Sequence, residues 1–426
     1  MRAAAAALAV LMFAAAPAVA APPSPQGAVA ATPPRLRLYL ESPDATLDTE
    51  FLRRELAWVD WVRDRADADV IVLLTARDTG SGGGEGTFYV SRPHGGGPAS
   101  DTVRVYAPPT SSDDDDRRLV ARTLAAVLAR DLAMRPEGAG LRVTVDPPQR
   151  PAAPPRDPWN HWVYSLSANG YASGEQSYDQ FSLRGTLTAS RVTETTRMGT
   201  RLTQSHNESH YEFGDGSEYR SVFRSWNSHS LVARSLGPRW SVGTSVNAWS
   251  STYSNTDLSL GVGPAVEVSA YPYAESSRRS LTLAWQLYAG RNDYEQETLY
   301  GKTAEWFVLQ EVDAGLSRRE PWGTIDLTSW LHQYLHDLSL YSVGVNGSVG
   351  LKLFRGFSLD LSGNASRVHD QISLPRGDAT DSEVLVRQRQ LATSYQYWVS
   401  VGLSYRFGSL FNNAVNQRLV NTLGAL

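Results

Sequence analysis

The segment Tyr397-Trp398-Val399-Ser400-Val401-Gly402-Leu403-Ser404-Tyr405-Arg406-Phe407 alternates with a period of two. In an extended chain successive side chains point to opposite faces. Val399, Val401, Leu403, Tyr405 and Phe407 therefore share one face, and Trp398, Ser400, Gly402, Ser404 and Arg406 share the other. The first face is continuous, apolar and ends in aromatics, and the second is small, polar and finally charged. A strand of a transmembrane barrel needs this arrangement, with lipid outside, a polar lumen inside and aromatics at the interface. An amphipathic strand of a soluble β protein shows the same alternation, so the rest of the chain must choose between them.

The alternation recurs throughout the second part of the chain. About twelve strand-like segments follow residue 158, the first near 161–172 and the last near 394–407, and most are long enough for tilted spanning strands of about 9–11 residues. Phe181, Leu183, Leu187 and Ala189 oppose Ser182, Arg184, Thr186 and Thr188. Leu281, Leu283, Trp285 and Leu287 oppose Thr282, Ala284, Gln286 and Tyr288, and Leu359 and Leu361 oppose Asp360 and Ser362. Only the fourth segment, Ser221 to Ser235, gives no facing. The connections alternate too. Thr195-Thr196, Leu236-Gly237-Pro238, Tyr271 to Ser277, Arg319-Glu320-Pro321 and Arg355-Gly356 read as one set of turns. Asn207 to Tyr219, Asp293 to Ala304 and Asp370 to Thr393 read as longer, more polar loops at the opposite end, the asymmetry of outer-membrane barrels. Charged residues opposite the apolar faces, namely Arg184, Glu267, Asp326, Lys352, Asp360 and Arg406, are expected to face the lumen and meet one another across it. Tyr397 to Phe407 is expected to close the barrel by pairing with the strand that begins near His161.

Composition agrees with export rather than with nucleic-acid or thiol chemistry. The 426 residues contain no cysteine, which excludes disulfides, thiolate catalysis, cysteine zinc sites and a lipidated N-terminal cysteine. The formal net charge is −4, and no basic block points to nucleic acid. Aromatics at membrane interfaces account for the 19 Tyr and 12 Trp. Arg2, the apolar run Ala3 to Ala16 and Ala18-Val19-Ala20 before Ala21 predict a signal peptide over 1–20. A flexible leader is expected over 21–34, a small α+β periplasmic domain over 35–146, a proline-rich linker over 147–158, the barrel over 159–407 and a tail over 408–426.

Within 35–146 the expected order is strand, helix, three strands, helix. Phe51, Leu52, Leu56, Val59 and Val62 fall on one helical face opened by Asp48 or Thr49, and Ser111 or Ser112 opens a second helix at Asp113–Asp116. Gly80-Ser81-Gly82-Gly83-Gly84 lacks the Lys-Ser/Thr ending and following helix of a phosphate loop and reads as a hairpin connection. The four aspartates lack calcium-loop spacing and read as helix-dipole partners. In topology the segment is similar to the N-terminal domain of TolB-like proteins.

Two constellations have residue types suited to chemistry. Ser205-His206-Asn207-Glu208-Ser209-His210 holds the elements of a Ser-His-Asn hydrolase. His332, His336 and Asp337, with Asp293, Glu295 and Glu297, hold acid-base or metal types. Solvated polar residues explain both sets, so the expectation is a protein that is not an enzyme, with no metal and no cofactor.

Ser400, Gly402, Tyr405 and Phe407 resemble the C-terminal assembly signal of bacterial outer-membrane proteins, which implies recognition by the barrel assembly machinery. Ser404-Tyr405-Arg406-Phe407-Gly408-Ser409-Leu410-Phe411-Asn412-Asn413 resembles the closing block of an uncharacterised outer-membrane barrel family of the salt-induced outer-membrane-protein type. The resemblance implies an outer-membrane location and no catalytic residues. The expected partners are outer-membrane lipid, the assembly machinery and a periplasmic protein or cell-wall component. The expected role is a narrow pore or a structural, envelope-contact protein; the alternatives are a surface hydrolase, phospholipase- or protease-like, and a soluble secreted β protein.

Overall fold

The computed structural model describes residues 35–44, 47–93, 100–135, 138, 157–214, 216–354, 356–377 and 393–405. The expected signal peptide, leader and tail, most of the linker, and Arg406 and Phe407 lie outside them.

The chain first builds a five-stranded sheet flanked by two helices: β1 (Leu36–Glu41), α1 (Thr49–Glu55), β2 (Val59–Trp61), β3 (Val70–Asp78), β4 (Gly84–Ser91), β5 (Ser100–Ala107) and α2 (Asp113–Ala133). The strand order is β2-β1-β3-β4-β5, with β1 parallel to β2 and β3 and the remaining pairs antiparallel. Alternate residues of β1, β3 and β4 place Leu38, Val72 and Phe88 under Leu52 of α1 and Leu124 and Leu128 of α2. Full burial of each such side chain contributes about 1.5–3 kcal/mol. The Asp48 carboxylate accepts from the Phe51 amide at the start of α1, and Ser112 and Asp115 form a reciprocal capping box on α2. Val59 and Val62 are not helical: α1 stops when the Leu56 amide bonds the Leu52 carbonyl, and β-branched Val59 starts a short strand beside β1. The glycine loop joins β3 to β4, with the Thr79 amide donating to the Gly83 carbonyl at 2.8 Å.

Twelve antiparallel strands follow in simple sequence order: β6 (Trp162–Glu175), β7 (Tyr178–Val192), β8 (Thr196–Glu212), β9 (Glu218–Ser235), β10 (Trp240–Ser251), β11 (Thr256–Ser269), β12 (Arg279–Tyr294), β13 (Ala304–Glu320), β14 (Gly323–Tyr334), β15 (Tyr341–Phe354), β16 (Phe357–Val368) and β17 (Tyr395–Tyr405). The sheet curls into a barrel-like wall, because one cavity is lined jointly by β9 to β14 and the segment after β16. Its polarity is inverted relative to the first unit. Leu187, Leu260, Leu283 and Val345 are exposed on the outside, whereas Ser245, Thr256 and Ser259 are buried on the inside.

The expected pairing of the last strand with the first is not formed. Among the described residues β17 pairs only with β16, and β6 only with β7. Leu166 and Val399 are consequently 82% and 71% exposed, since no neighbouring strand flanks either edge. Alternation fixes which way a side chain faces, but it carries no information about which distant strand lies alongside. The loop asymmetry is also weaker than expected: β8 and β9 extend to Glu212 and from Glu218, which shrinks the first expected long loop to residues 213–217.

Candidate functional site: the polar interior

Directly opposed residues of an antiparallel pair share a face, so the register assigns the interior. Arg184 lies opposite Ser205, Glu267 opposite Ser241, Asp326 opposite Ser348, Lys352 opposite Ser358, and Asp360 opposite Gly402. All five belong to the inner face. They do not pair with one another. Asp326 accepts from Arg319 at 2.6 Å, Glu267 accepts from the Tyr273 hydroxyl at 2.8 Å, and Lys352 reaches Glu41 and Tyr39 of β1. Arg184 and Asp360 make no ion pair among the described residues. The anticipated network across the lumen is replaced by partners drawn from the end of β13, from the turn before β12 and from the first unit. Of the residues resembling an assembly signal, Ser400 and Gly402 sit on the inner face and Tyr405 on the outer one.

Register also resolves β9, whose alternation gave no facing. Asn227, His229 and Leu231 point inward opposite Trp249, Asn247 and Ser245, while Ser228, Ser230 and Arg234 point outward. The outer face of this strand mixes Val222, Trp226 and Val232 with Arg224, Ser228, Ser230 and Arg234, and the inner face mixes Phe223 and Leu231 with Ser225, Asn227 and His229, which is why alternation gave no facing.

Among the described residues, two interior cavities lie on either side of a polar layer. In the layer the fully buried Ser245 hydroxyl lies 2.7 Å from the Tyr288 hydroxyl and 3.2 Å from Gln286 Oε1. On one side a cavity of about 860 Å³ opens toward the turns between β7 and β8, β9 and β10, and β11 and β12. On the other a cavity of about 410 Å³ includes Asn247, Trp249, Glu311, His332 and Tyr334. Close approach of rings to backbone shapes this half: an added Cβ on Gly344 would collide with the ring of Trp330.

The second cavity is roofed by the segment after β16. Ile372 and Leu374 are buried; the Asn255 side chain donates to the Ser373 carbonyl at 2.9 Å and to the Gln296 carbonyl at 3.0 Å. The Leu299 amide donates to the Leu374 carbonyl at 2.9 Å, and Arg376 pairs with Glu297 at 3.0 Å. Asn255 has φ of 53°, a left-handed conformation that asparagine tolerates better than most residues.

The opposite end meets the α+β unit. Arg77 donates to Ser276, the Tyr89 and Ser277 hydroxyls are 2.7 Å apart, and the Arg278 guanidinium lies 5.5 Å from the centre of the Tyr89 ring. Arg319 donates to Asp44 at 2.8 Å as well as to Asp326. Thus β1, β3, β4 and the segment after β1 all touch the turn end of the twelve-stranded sheet.

Neither catalytic constellation assembles. Ser205 to His210 lies inside β8 rather than in a loop, so Ser205 faces inward while His206 faces outward near Glu208 at 3.5 Å. Adjacent strand residues cannot form a nucleophile-base pair across their own backbone. His332 points into the interior, 4.0 Å from Glu311. His336 meets the Tyr334 ring edge to face, and Asp337 accepts from the amide and hydroxyl of Ser339, which hold its carboxyl below the usual range. Among the described residues no three His, Asp or Glu side chains are placed to hold a metal. The residues that sequence reasoning passed over are Arg319, Glu311, Asp313 and Asp370. Glu311 and Asp313 carried a signal, since carboxylates two apart in a strand share a face.

Fold and interior together define a barrel-like protein with an apolar exterior and a polar, partly occluded interior. Among solved structures the chain is similar to the NanC porin, at 10% identity and a TM-score of 0.27 over 57% of this chain and 99% of that one. It is also similar to the translocator domain of the autotransporter NalP from Neisseria meningitidis, at 13% identity and a TM-score of 0.17 over 58% of this chain and 82% of that one. Neither likeness bears on what this chain binds or moves. No family model and no curated protein matches the chain.

Proposed function

We propose that this chain is an outer-membrane β-barrel protein, non-enzymatic, forming a narrow pore that is closed at rest, with its α+β domain on the periplasmic side. The observation that carries the reading is the inverted polarity of the twelve-stranded sheet: large aliphatic residues outside, buried Ser, Thr and Asn inside. A soluble monomer rarely exposes so extended an apolar surface, whereas a lipid bilayer covers it. The segment 371–376 at one mouth and the α+β domain at the other support a closed resting state.

The reading imposes one requirement. Unpaired backbone groups at the edges of β6 and β17 cost several kcal/mol each in hydrocarbon, so these edges must pair with each other in the membrane. Outer-membrane fractionation and heat-modifiable gel mobility are the expected results, and a purely soluble protein without a gel shift refutes the proposal. In planar bilayers the closed-pore reading predicts rare, small openings, and steady large conductance contradicts it.

A second reading, a structural or envelope-contact role through the α+β domain, is favoured by one feature. A cavity of about 610 Å³ lies between α2 and the sheet, lined by Leu52, Leu74, Phe88 and Val120 with Asp113 and Arg117 at its rim. Such a groove suits an apolar segment of a periplasmic protein; pull-down of a partner lost on Val120→Asp with the circular dichroism unchanged would support it, and unchanged capture would oppose it.

A further inference from the structure

We propose that the cavity roofed by residues 371–374 is a binding site for an organic ammonium ion, a small primary amine or diamine.

The charge balance of the cavity carries the inference. Glu311 and Asp370 both line it, and among the described residues neither arginine nor lysine does. The ion partner of Glu311 among the described residues is His332 at 4.0 Å, and a histidine is charged only when protonated. His229 also acts electrostatically on Glu311, but its Nδ1 is engaged with the Asn247 side-chain oxygen. Asp313, two residues along β13 on the same face, forms no ion pair among the described residues. The cations that neutralise other interior carboxylates are committed elsewhere, Arg319 to Asp326 and Asp44, Lys352 to Glu41, and Lys302 to Glu305, and the inner-face Arg184 does not line this cavity. Partly buried carboxylates without a fixed cation carry a desolvation cost, and a cationic ligand offsets it.

The walls fit the same ligand. Trp249, Tyr288, Tyr294 and Tyr334 line the cavity, and an ammonium group gains from aromatic rings as well as from carboxylates. At about 410 Å³ the space falls in the range of small-molecule sites. A bare metal ion fits less well, because the described residues place no group of three acidic or imidazole ligands together. The roof is held by Asn255 and by the 295–299 segment, so one side of the site is built before any ligand arrives.

The inference rests on the barrel reading only in using its interior, and the test separates the two. The purified full chain in detergent at neutral pH is equilibrium-dialysed against labelled putrescine, with 1,4-butanediol and succinate as neutral and anionic counterparts of similar length. Saturable putrescine binding is expected, with butanediol competing at least tenfold more weakly and succinate not at all. The double variant Glu311→Gln, Asp370→Asn is expected to lose at least tenfold in affinity while keeping its heat-modifiable mobility. If the double variant loses that mobility, Asp370→Asn alone, which lies outside the strands, is held to the same criterion. Absent putrescine binding, equal competition by butanediol, or unchanged affinity in a folded variant would overturn the site. Loss of the gel shift in the unmodified protein would instead overturn the barrel reading.

Discussion

Cutting the link between Asp44 and Arg319 should loosen the α+β domain from the turn end of the barrel. The two side chains are 18% and 19% exposed and meet at 2.8 Å. They sit between a surface pair, worth about 0–1 kcal/mol, and a buried one, whose disruption costs about 3–5 kcal/mol. A coupling of about 2 kcal/mol follows from that interpolation, equivalent to about a 30-fold change in the docking equilibrium. Arg319 keeps Asp326 as a second partner, so single variants mix two effects and a double-mutant cycle is needed. Docked and undocked populations can be read from distances between two spin labels, at Val105→Cys on the domain and Ser254→Cys at the far end of the barrel. Asp44→Asn and Arg319→Gln should each broaden the distribution, and the double variant should broaden it less than their sum. The Lys352–Glu41 pair, with Lys352 47% exposed, should couple more weakly, by about 1 kcal/mol or less. Additivity within about 0.5 kcal/mol at Asp44 and Arg319 would refute the docking role of this pair.

Three further outcomes are expected. Val345→Arg, on the outer face of β15, should impair membrane insertion at a cost of about 2–4 kcal/mol, whereas Ser348→Arg on the inner face should insert normally; equal behaviour in a folding assay with lipid vesicles would contradict the facing. Burial opposes the charge on Asp69, but hydrogen bonds from Arg37 and the ion pair with Arg135 outweigh it and hold the carboxyl below its usual range. A lowered value stabilises above the unfolded pKa of about 3.9 and is lost as pH falls through the folded value, so the exchange protection that Asp69→Asn removes from the Leu38 and Val72 amides should shrink below about pH 4. Finally, Leu166→Cys combined in turn with Val399→Cys, Val401→Cys or Leu403→Cys should give an oxidised cross-link in at least one pair in membranes, and none in any pair would show that the β6 and β17 edges do not meet there.

Local chemistry was legible in the sequence, and long-range pairing was not. The period-two alternation of Val399 to Tyr405 and of Leu281 to Tyr288 gave the facing of those strands because it depends only on backbone geometry. Asp48 and Ser112 were legible as caps for the same reason. Val59 was misread because a helical stripe and a short strand after a turn place apolar residues at similar spacing. Ser205 to His210 suggested chemistry from residue type alone, and the alternation of β8 turns Ser205 and His206 to opposite faces. Arg319 with Asp44, Lys352 with Glu41 and Ser373 with Asn255 join segments far apart in sequence, and no periodicity announces such contacts. The clearest missed clue was Glu311 and Asp313, two carboxylates on one face of a strand whose other face is apolar.

The absence of native cysteine allows the central claim to be tested residue by residue. Single cysteines placed in turn from Val343 to Leu351 in membrane-embedded protein can carry a spin label, and its accessibility to oxygen and to a water-soluble nickel chelate can be measured. A lipid-facing apolar exterior around a polar interior predicts a period of two, with oxygen favoured at positions 343, 345, 347, 349 and 351 and the nickel chelate at 344, 346, 348 and 350. Uniform accessibility to the nickel chelate along β15, with no alternation, would contradict it.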